Sequence, residues 1–294
     1  MISRPVLLAF VPAVFVFLWS TGWVVARVAA PHAEPLTFLL VRFSIAGVLL
    51  AGISVASGAP WPRDPKTLGH AMLSGVLIHA LYLAGVWWAV AQGVPAGLSA
   101  LIAALQPLFT ACLAPALAGE TISRKRWAGL GLGLAGILLA LEPKLATINA
   151  ANLAPVAGPL AVNVVSMVAV TVGTFHQKRH VATADLRVVA TLQYAGAVLM
   201  MIPLALGFEH LRIDWTPAAI GAMAWSVLAL SIGAIGLLLL LIRTGEVSRA
   251  ATLIYLVPPT AAVQAYLLVG ETLVPIQIVG MAVTALGVAL ASRG

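Results

Sequence analysis

The chain is written as apolar runs of about 16–25 residues separated by short polar links, and that pattern limits its fold more than any motif does. A helix needs about 20 apolar residues to cross the hydrocarbon core of a bilayer. Every backbone N–H and C=O must find a partner within the chain there. Reading the runs between charged, proline or glycine breaks predicts ten spans. They lie at residues 6–28, 36–56, 69–91, 97–118 and 126–141, then at 155–177, 186–206, 217–241, 247–269 and 274–292. The links are about 5 to 14 residues long, too short for a separate soluble domain. Only 9% of the 294 residues are charged and 62% are hydrophobic, against about 25% charged in an ordinary soluble domain. Too few polar groups are present to cover a soluble surface, which excludes a soluble enzyme, a nucleic-acid binder and a disordered chain. The expected fold class is an all-α integral membrane protein.

The balance of 16 Lys and Arg against 9 Asp and Glu leaves a net charge of +7. In a membrane protein such an excess collects in cytoplasmic loops. Placing the N-terminus inside puts 12 of the 16 cations on the cytoplasmic side, leaving Arg27, Arg42, Lys144 and Arg212 outside. Both termini are then cytoplasmic, in the cell (inner) membrane. Arg4 before an apolar stretch and Val28-Ala29-Ala30 after it resemble a signal peptide. The run 6–28 is longer than an h-region of about 7–15 residues, so it is read as the first span. A single cysteine, Cys112, provides neither a disulfide framework nor a cysteine metal site.

Shifting the chain by 151 residues lays 97–143 onto 248–294 without a gap, with 13 identities in 47 pairs. Among them are Pro107/Pro258, Gly119/Gly270, Glu120/Glu271, Thr121/Thr272, Gly129/Gly280 and Gly136/Gly287. Five spans per half force opposite orientations on the halves, 1–148 and 149–294. The charges agree: Arg124-Lys125-Arg126 becomes Pro275-Ile276-Gln277, while Gln92 and Leu98 become Arg243 and Arg249. Inverted halves are a signature of secondary transporters with a site near the midplane.

Phe17-Leu18-Trp19-Ser20, Pro35 with Arg42-Phe43, and the two Pro…Gly-Glu-Thr blocks resemble the EamA branch of the drug/metabolite transporter superfamily. Within it, the chain is similar to YddG-type exporters of aromatic amino acids. The resemblance implies a basket of ten helices around a central cavity, lined mainly by spans 1, 3, 4, 6, 8 and 9. It also implies export of aromatic amino acids or related small amphipathic metabolites.

Candidate site residues follow from polarity at membrane depth. Pro107 in span 4 and Pro258-Pro259 in span 9 remove backbone hydrogen bonds at corresponding places and are read as helix breaks or gates. A packing kink would leave the same mark. Gln106 needs a polar partner that lipid does not supply. His79 and Tyr82 share a face at i, i+3 spacing near the centre of span 3, although a packing histidine satisfied by neighbouring helices would look the same. Asn163, Ser166, Thr174 and Gln177 form a stripe on span 6, which interhelical hydrogen bonds would explain equally well. Trp19, beside Ser20 and Trp23, lies too deep for an interfacial anchor. Arg42 either snorkels to the outer interface or attracts a carboxylate. The expected substrate contacts are Trp19, Ser20, His79, Tyr82, Gln106, Asn163 and Ser166.

All nine acids lie in loops or within about a turn of a span end, Glu120 and Glu271 among them as structural helix-end residues. No carboxylate relay is therefore expected, and His79 is the only central candidate for proton coupling. No G-x-x-x-x-G-K-[ST], H-E-x-x-H or G-x-S-x-G motif is present. The reading is an alternating-access secondary transporter that is not an enzyme and needs no cofactor. Its partners are a small-molecule substrate and membrane lipids, without nucleic acid, and it acts as a monomer. The rivals are a channel-like pore for small polar solutes and an intramembrane enzyme built on His79 with Tyr82 or Ser20.

Overall fold

The computed structural model describes residues 4–94, 96–146, 154–244, 251–269 and 273–293. Gly270, Glu271 and Thr272 lie outside the described residues, as do Glu246, Arg249 and the side chain of Trp23. The described elements are helical, apart from one isolated antiparallel bridge between Ala33 and Ile213.

Helix α1 spans Arg4–Ala29, α2 Pro35–Ala56 and α3 Pro65–Ala91. Helix α4 is broken at Leu105 into Ala96–Ala104 and Gln106–Ala118, and α5 spans Arg124–Leu145. After a 3-10 turn at Ala154–Val156 come α6 (Ala157–His180), α7 (Leu186–Phe208) and α8 (Pro217–Arg243). A second 3-10 turn, Leu253–Leu256, leads into α9 (Val257–Val269), and α10 spans Pro275–Ser292. Among the described residues, eight helices are long and apolar enough to cross a membrane. The two expected spans outside that set have distinct causes. In α5 the apolar stretch between Arg126 and Glu142 is short, and α9 is described only from Ala251 onward.

Polar caps fix where the helices begin. Asp64 accepts from the N–H groups of Lys66 and Thr67 at 3.2 and 3.1 Å, ahead of Pro65 in the first turn of α3. Ser123, Asp185 and Thr216 cap α5, α7 and α8 in the same way. Hydrogen bonds from the Arg187 guanidinium hold the Asp185 carboxyl down to about 2. Gly119 ends α4 at φ 65°, a left-handed conformation that suits glycine, with its N–H on the carbonyl of Ala114. Helix α2 is capped from a distance: Glu209, after α7, accepts from the N–H groups of Leu36 and Thr37 at 2.8 and 2.6 Å. Glu34 reciprocates by accepting from the N–H groups of His210 and Arg212 at 3.0 and 2.8 Å. The Arg212 N–H, with His210 adding to it, holds the Glu34 carboxyl below its usual value.

Helix starts at Pro35, Gln106 and Arg124 recur 151 residues later at Leu186, Val257 and Pro275. The backbone irregularities recur too. A π-helical segment, Val76–Leu81, interrupts α3, and its counterpart, Ser226–Ala234, interrupts α8.

Helices α5 and α10 meet backbone to backbone through glycines. A Cβ on Gly129 would run into Ala291 and the Gly287 carbonyl, and one on Gly136 into Thr284 and the Gly280 carbonyl. Such close approach is how membrane helices gain van der Waals contact without help from water. Away from these contacts, Val48, Leu199, Leu206, Leu228 and Leu286 are exposed, as a lipid-facing surface requires. Gly136→Leu is expected to lower the melting temperature of the detergent-solubilised protein, overpacking costing about 1–3 kcal/mol. Gly131→Leu is the control: a Cβ at that position meets nothing within 4 Å, so melting is expected to stay near that of the wild type.

Candidate functional site: a central cavity with a buried arginine

A cavity of about 810 Å³ enters the bundle from the face where α1, α3 and α5 end and α2 and α10 begin. Trp19, Tyr82, Trp87, Arg42, Leu230 and Pro258 line its depth, while Ala30, Ala91 and Gln277 lie towards the mouth. Its size is within the range of about 300–1,000 Å³ usual for small-molecule sites. A second void of about 20 Å³ lies next to Trp19, lined by Gln106, Thr174, Leu238 and Ile254 among others. Trp19 borders both spaces and so partitions them.

Arg42 is the eighth residue of α2, about 10 Å along the helix from its start. Its residue surface is only 4% exposed. The Nε–H donates to Ser231 Oγ at 2.9 Å, and Cζ lies 5.8 Å from the centre of the Phe43 ring. Among the described residues, no carboxylate forms an ion pair with it. Ser231 belongs to the π segment of α8, and its carbonyl accepts from the Tyr194 hydroxyl at 3.1 Å. That segment thus holds the serine which fixes the guanidinium. An arginine does not lose its proton in such a place, so the cavity carries a permanent positive charge.

The structure places Trp19, Tyr82 and Pro258 on the cavity and Gln106 on the small void. Ser20 turns away, donating to the carbonyls of Val16 at 2.6 Å and Val257 at 3.3 Å, where α9 begins. Asn163 Nδ2 donates to Ser99 Oγ at 2.7 Å, and Ser166 Oγ bonds the Val162 carbonyl, against Gly85 of α3. Thr174 bonds the Thr171 carbonyl, and Gln177 Oε1 accepts from Gln193 Nε2 at 2.8 Å. Pro107 is in the first turn of the second piece of α4, immediately after the break, and Pro258 and Pro259 open α9.

His79 is buried against α2 and α7, its ring stacked on Tyr194 at 4.7 Å and tilted to Phe43 at 6.1 Å. It does not share the face of Tyr82 because it sits in the π segment Val76–Leu81. A wider i→i+5 turn breaks the 3.6-residue phase on which the i, i+3 rule depends. Trp87, stacked on Phe38 at 5.7 Å, joins Tyr82 on the cavity instead. Its signal in the sequence is the i, i+4 run of Leu83 and Trp87 on the same span.

With the geometry in place, the comparisons with known proteins agree with it. The EamA-like transporter family profile matches residues 4–141 and matches again at 158–293. The chain therefore belongs to the EamA-like transporter family and is a multi-pass membrane transporter. It is 29% identical over 279 residues to an uncharacterized inner membrane transporter, YedA, of Escherichia coli K12, covering 94% of this chain and 88% of that one. A probable amino-acid metabolite efflux pump of Salmonella typhimurium is 26% identical, over 92% of this chain and 90% of its own. A probable terminal-alkyne amino-acid exporter of Streptantibioticus cattleyicolor is 28% identical, over 95% and 91%. A solved crystal structure with 19% identity superposes with a TM-score of 0.80 over 97% of each chain, which establishes a shared fold.

The hold of Ser231 on Arg42 is measurable by a double-mutant cycle in detergent unfolding. Ser231→Ala is expected to destabilise the wild type by about 1 kcal/mol, the net worth of one hydrogen bond. In an Arg42→Met background that cost should disappear, a coupling that independent sites would not show.

Proposed function

We propose that this chain exports small amphipathic metabolites, aromatic or other neutral amino acids above all, by alternating access. The observation that carries the reading is the buried, permanently charged Arg42 on a cavity walled by Trp19, Tyr82 and Trp87. The guanidinium matches a carboxylate in a two-pronged hydrogen bond, and the aromatic walls suit an apolar or planar body. The faces of the same rings attract an ammonium group, which no acid on the cavity is needed to hold. The exporters named among the relatives favour an amino-acid cargo.

The proposed architecture is ten membrane helices in two inverted halves, 1–148 and 149–294, with both termini cytoplasmic in the cell membrane. The double family match supports it, as does the recurrence of helix starts and π segments at a spacing of 151 residues. A large cavity reaching one face, with only a small void beyond Trp19, suits one state of an alternating cycle better than an open pore. The transporter names of the relatives favour carriage over catalysis.

The test is flux of radiolabelled tryptophan and phenylalanine into liposomes carrying the purified protein. Uptake is expected to saturate and to rise with substrate preloaded on the other side. Linear flux of many small solutes would make the protein a pore. Saturable flux of another solute, with tryptophan neither moved nor competing, would discard the aromatic assignment. Arg42→Gln should weaken carboxylate-bearing substrates by about 10- to 100-fold, the value of a charge-assisted hydrogen bond of about 1.5–3 kcal/mol. A separate prediction concerns pH. His79 lies off the cavity, so His79→Ala is expected to leave the pH dependence of uptake unchanged, and a flattened profile would restore it as a proton carrier.

A further inference from the structure

Three histidines converge at the end of the bundle opposite the cavity mouth. His70 stands in the second turn of α3, and His176 and His180 project from one face of the last two turns of α6 at i, i+4 spacing. One ring nitrogen from each lies within 4.8 Å of the other two, and His70 and His176 are half-buried. Nδ1 of His70 is 3.2 Å from Nε2 of His176. A tetrahedral ion bound to nitrogens at 2.0–2.1 Å sets neighbouring ligands about 3.3 Å apart, so that pair already has the spacing of two ligands.

The orientation of the third ring points the same way. His180 Nδ1 is 3.0 Å from the backbone carbonyl of His176. An Nδ1–H donated to a carbonyl fixes the tautomer that leaves an Nε2 lone pair free for a metal. The helix end adds to this, because His180 is the last residue of α6, where unpaired carbonyls favour a cation. Lys178, on the same turn, directs its ammonium elsewhere, donating to the carbonyl of Ile242 at 2.9 Å.

We propose that His70, His176 and His180 form a binding site for a divalent transition-metal ion that favours imidazole, Zn²⁺, Ni²⁺ or Cu²⁺, with water completing the shell. Three histidines with an open fourth position suit these ions, and no thiolate or carboxylate in the cluster selects Cu⁺ or Ca²⁺. The ion ties α3 to α6, joining the two halves of the chain on the side away from the cavity mouth. Its binding does not depend on the cargo assigned to the cavity, because none of the three residues lines it.

The test uses full-length protein purified through a tag without histidines, stripped with chelator and titrated calorimetrically with Zn²⁺. One ion per chain is expected. His176→Gln and His180→Asn should each weaken it by at least about tenfold, and a His32→Ala/His210→Ala variant should bind as the wild type does. Cu²⁺ loaded into the wild type should give a paramagnetic resonance spectrum split by three imidazole nitrogens, a readout that needs no variant to fold. Unchanged affinity in folded His176→Gln protein would overturn the proposal. So would a Cu²⁺ spectrum with fewer than three nitrogens.

Discussion

The structure depends on one constraint: in hydrocarbon, each backbone N–H and C=O must be answered by the chain itself. Regular helices meet it alone, so each departure from regularity has a partner group or a water-accessible space beside it. The described helices depart in four main places, the break at Leu105, the turn at Leu253–Leu256 and the π segments of α3 and α8. The Ser20 hydroxyl reaches the Val257 carbonyl at the start of α9, and the Tyr194 hydroxyl meets the Ser231 carbonyl in α8. The cavity runs past the same region, touching Ala100, Tyr82, Leu230 and Pro258. Irregular backbone and binding space occupy the same level of the bundle because each makes the other tolerable.

Glycine spacing answers a second question, how two helices without a hydrophobic drive between them stay together. Gly129 faces Gly287 and Gly136 faces Gly280. Each of these contacts becomes the other when the halves are exchanged by the 151-residue shift. One surface therefore has to fit a copy of itself, which accounts for glycine at the same steps in both halves. Helices α2 and α7, also counterparts under the shift, form the other self-paired contact, filled by Phe43, Tyr194 and Met201.

Much of this was legible in the amino-acid string. Apolar run lengths placed the helices to within a few residues, and Pro107 and Pro258 marked the breaks. Trp19 and Tyr82, singled out by their depth in spans 1 and 3, line the cavity. His79 was read onto the wrong face because a π segment leaves no sign in residue type, and one wider turn rotates all that follows. The span-6 stripe shows the limit of polarity as a guide: α4 supplies an acceptor for the Asn163 amide nitrogen, and α6 supplies one for the Ser166 hydroxyl. Arg42 was ambiguous in sequence between a snorkelling residue and an anion site, since only the packing of α8 keeps it from reaching the interface.

The capping of α2 by a residue from beyond α7 has a mechanical consequence. Glu209 and Glu34 fasten the two helices together at the cavity-mouth end, and Ser54 Oγ lies 3.2 Å from Thr191 Oγ1 near the other. A pair of rods bolted at both ends cannot splay or shear along its length. Tied at both ends in this way, the pair resists being opened from either one. Sliding α2 along α7 would therefore break the Glu209 and Glu34 bonds at one end and the Ser54–Thr191 contact at the other in a single step.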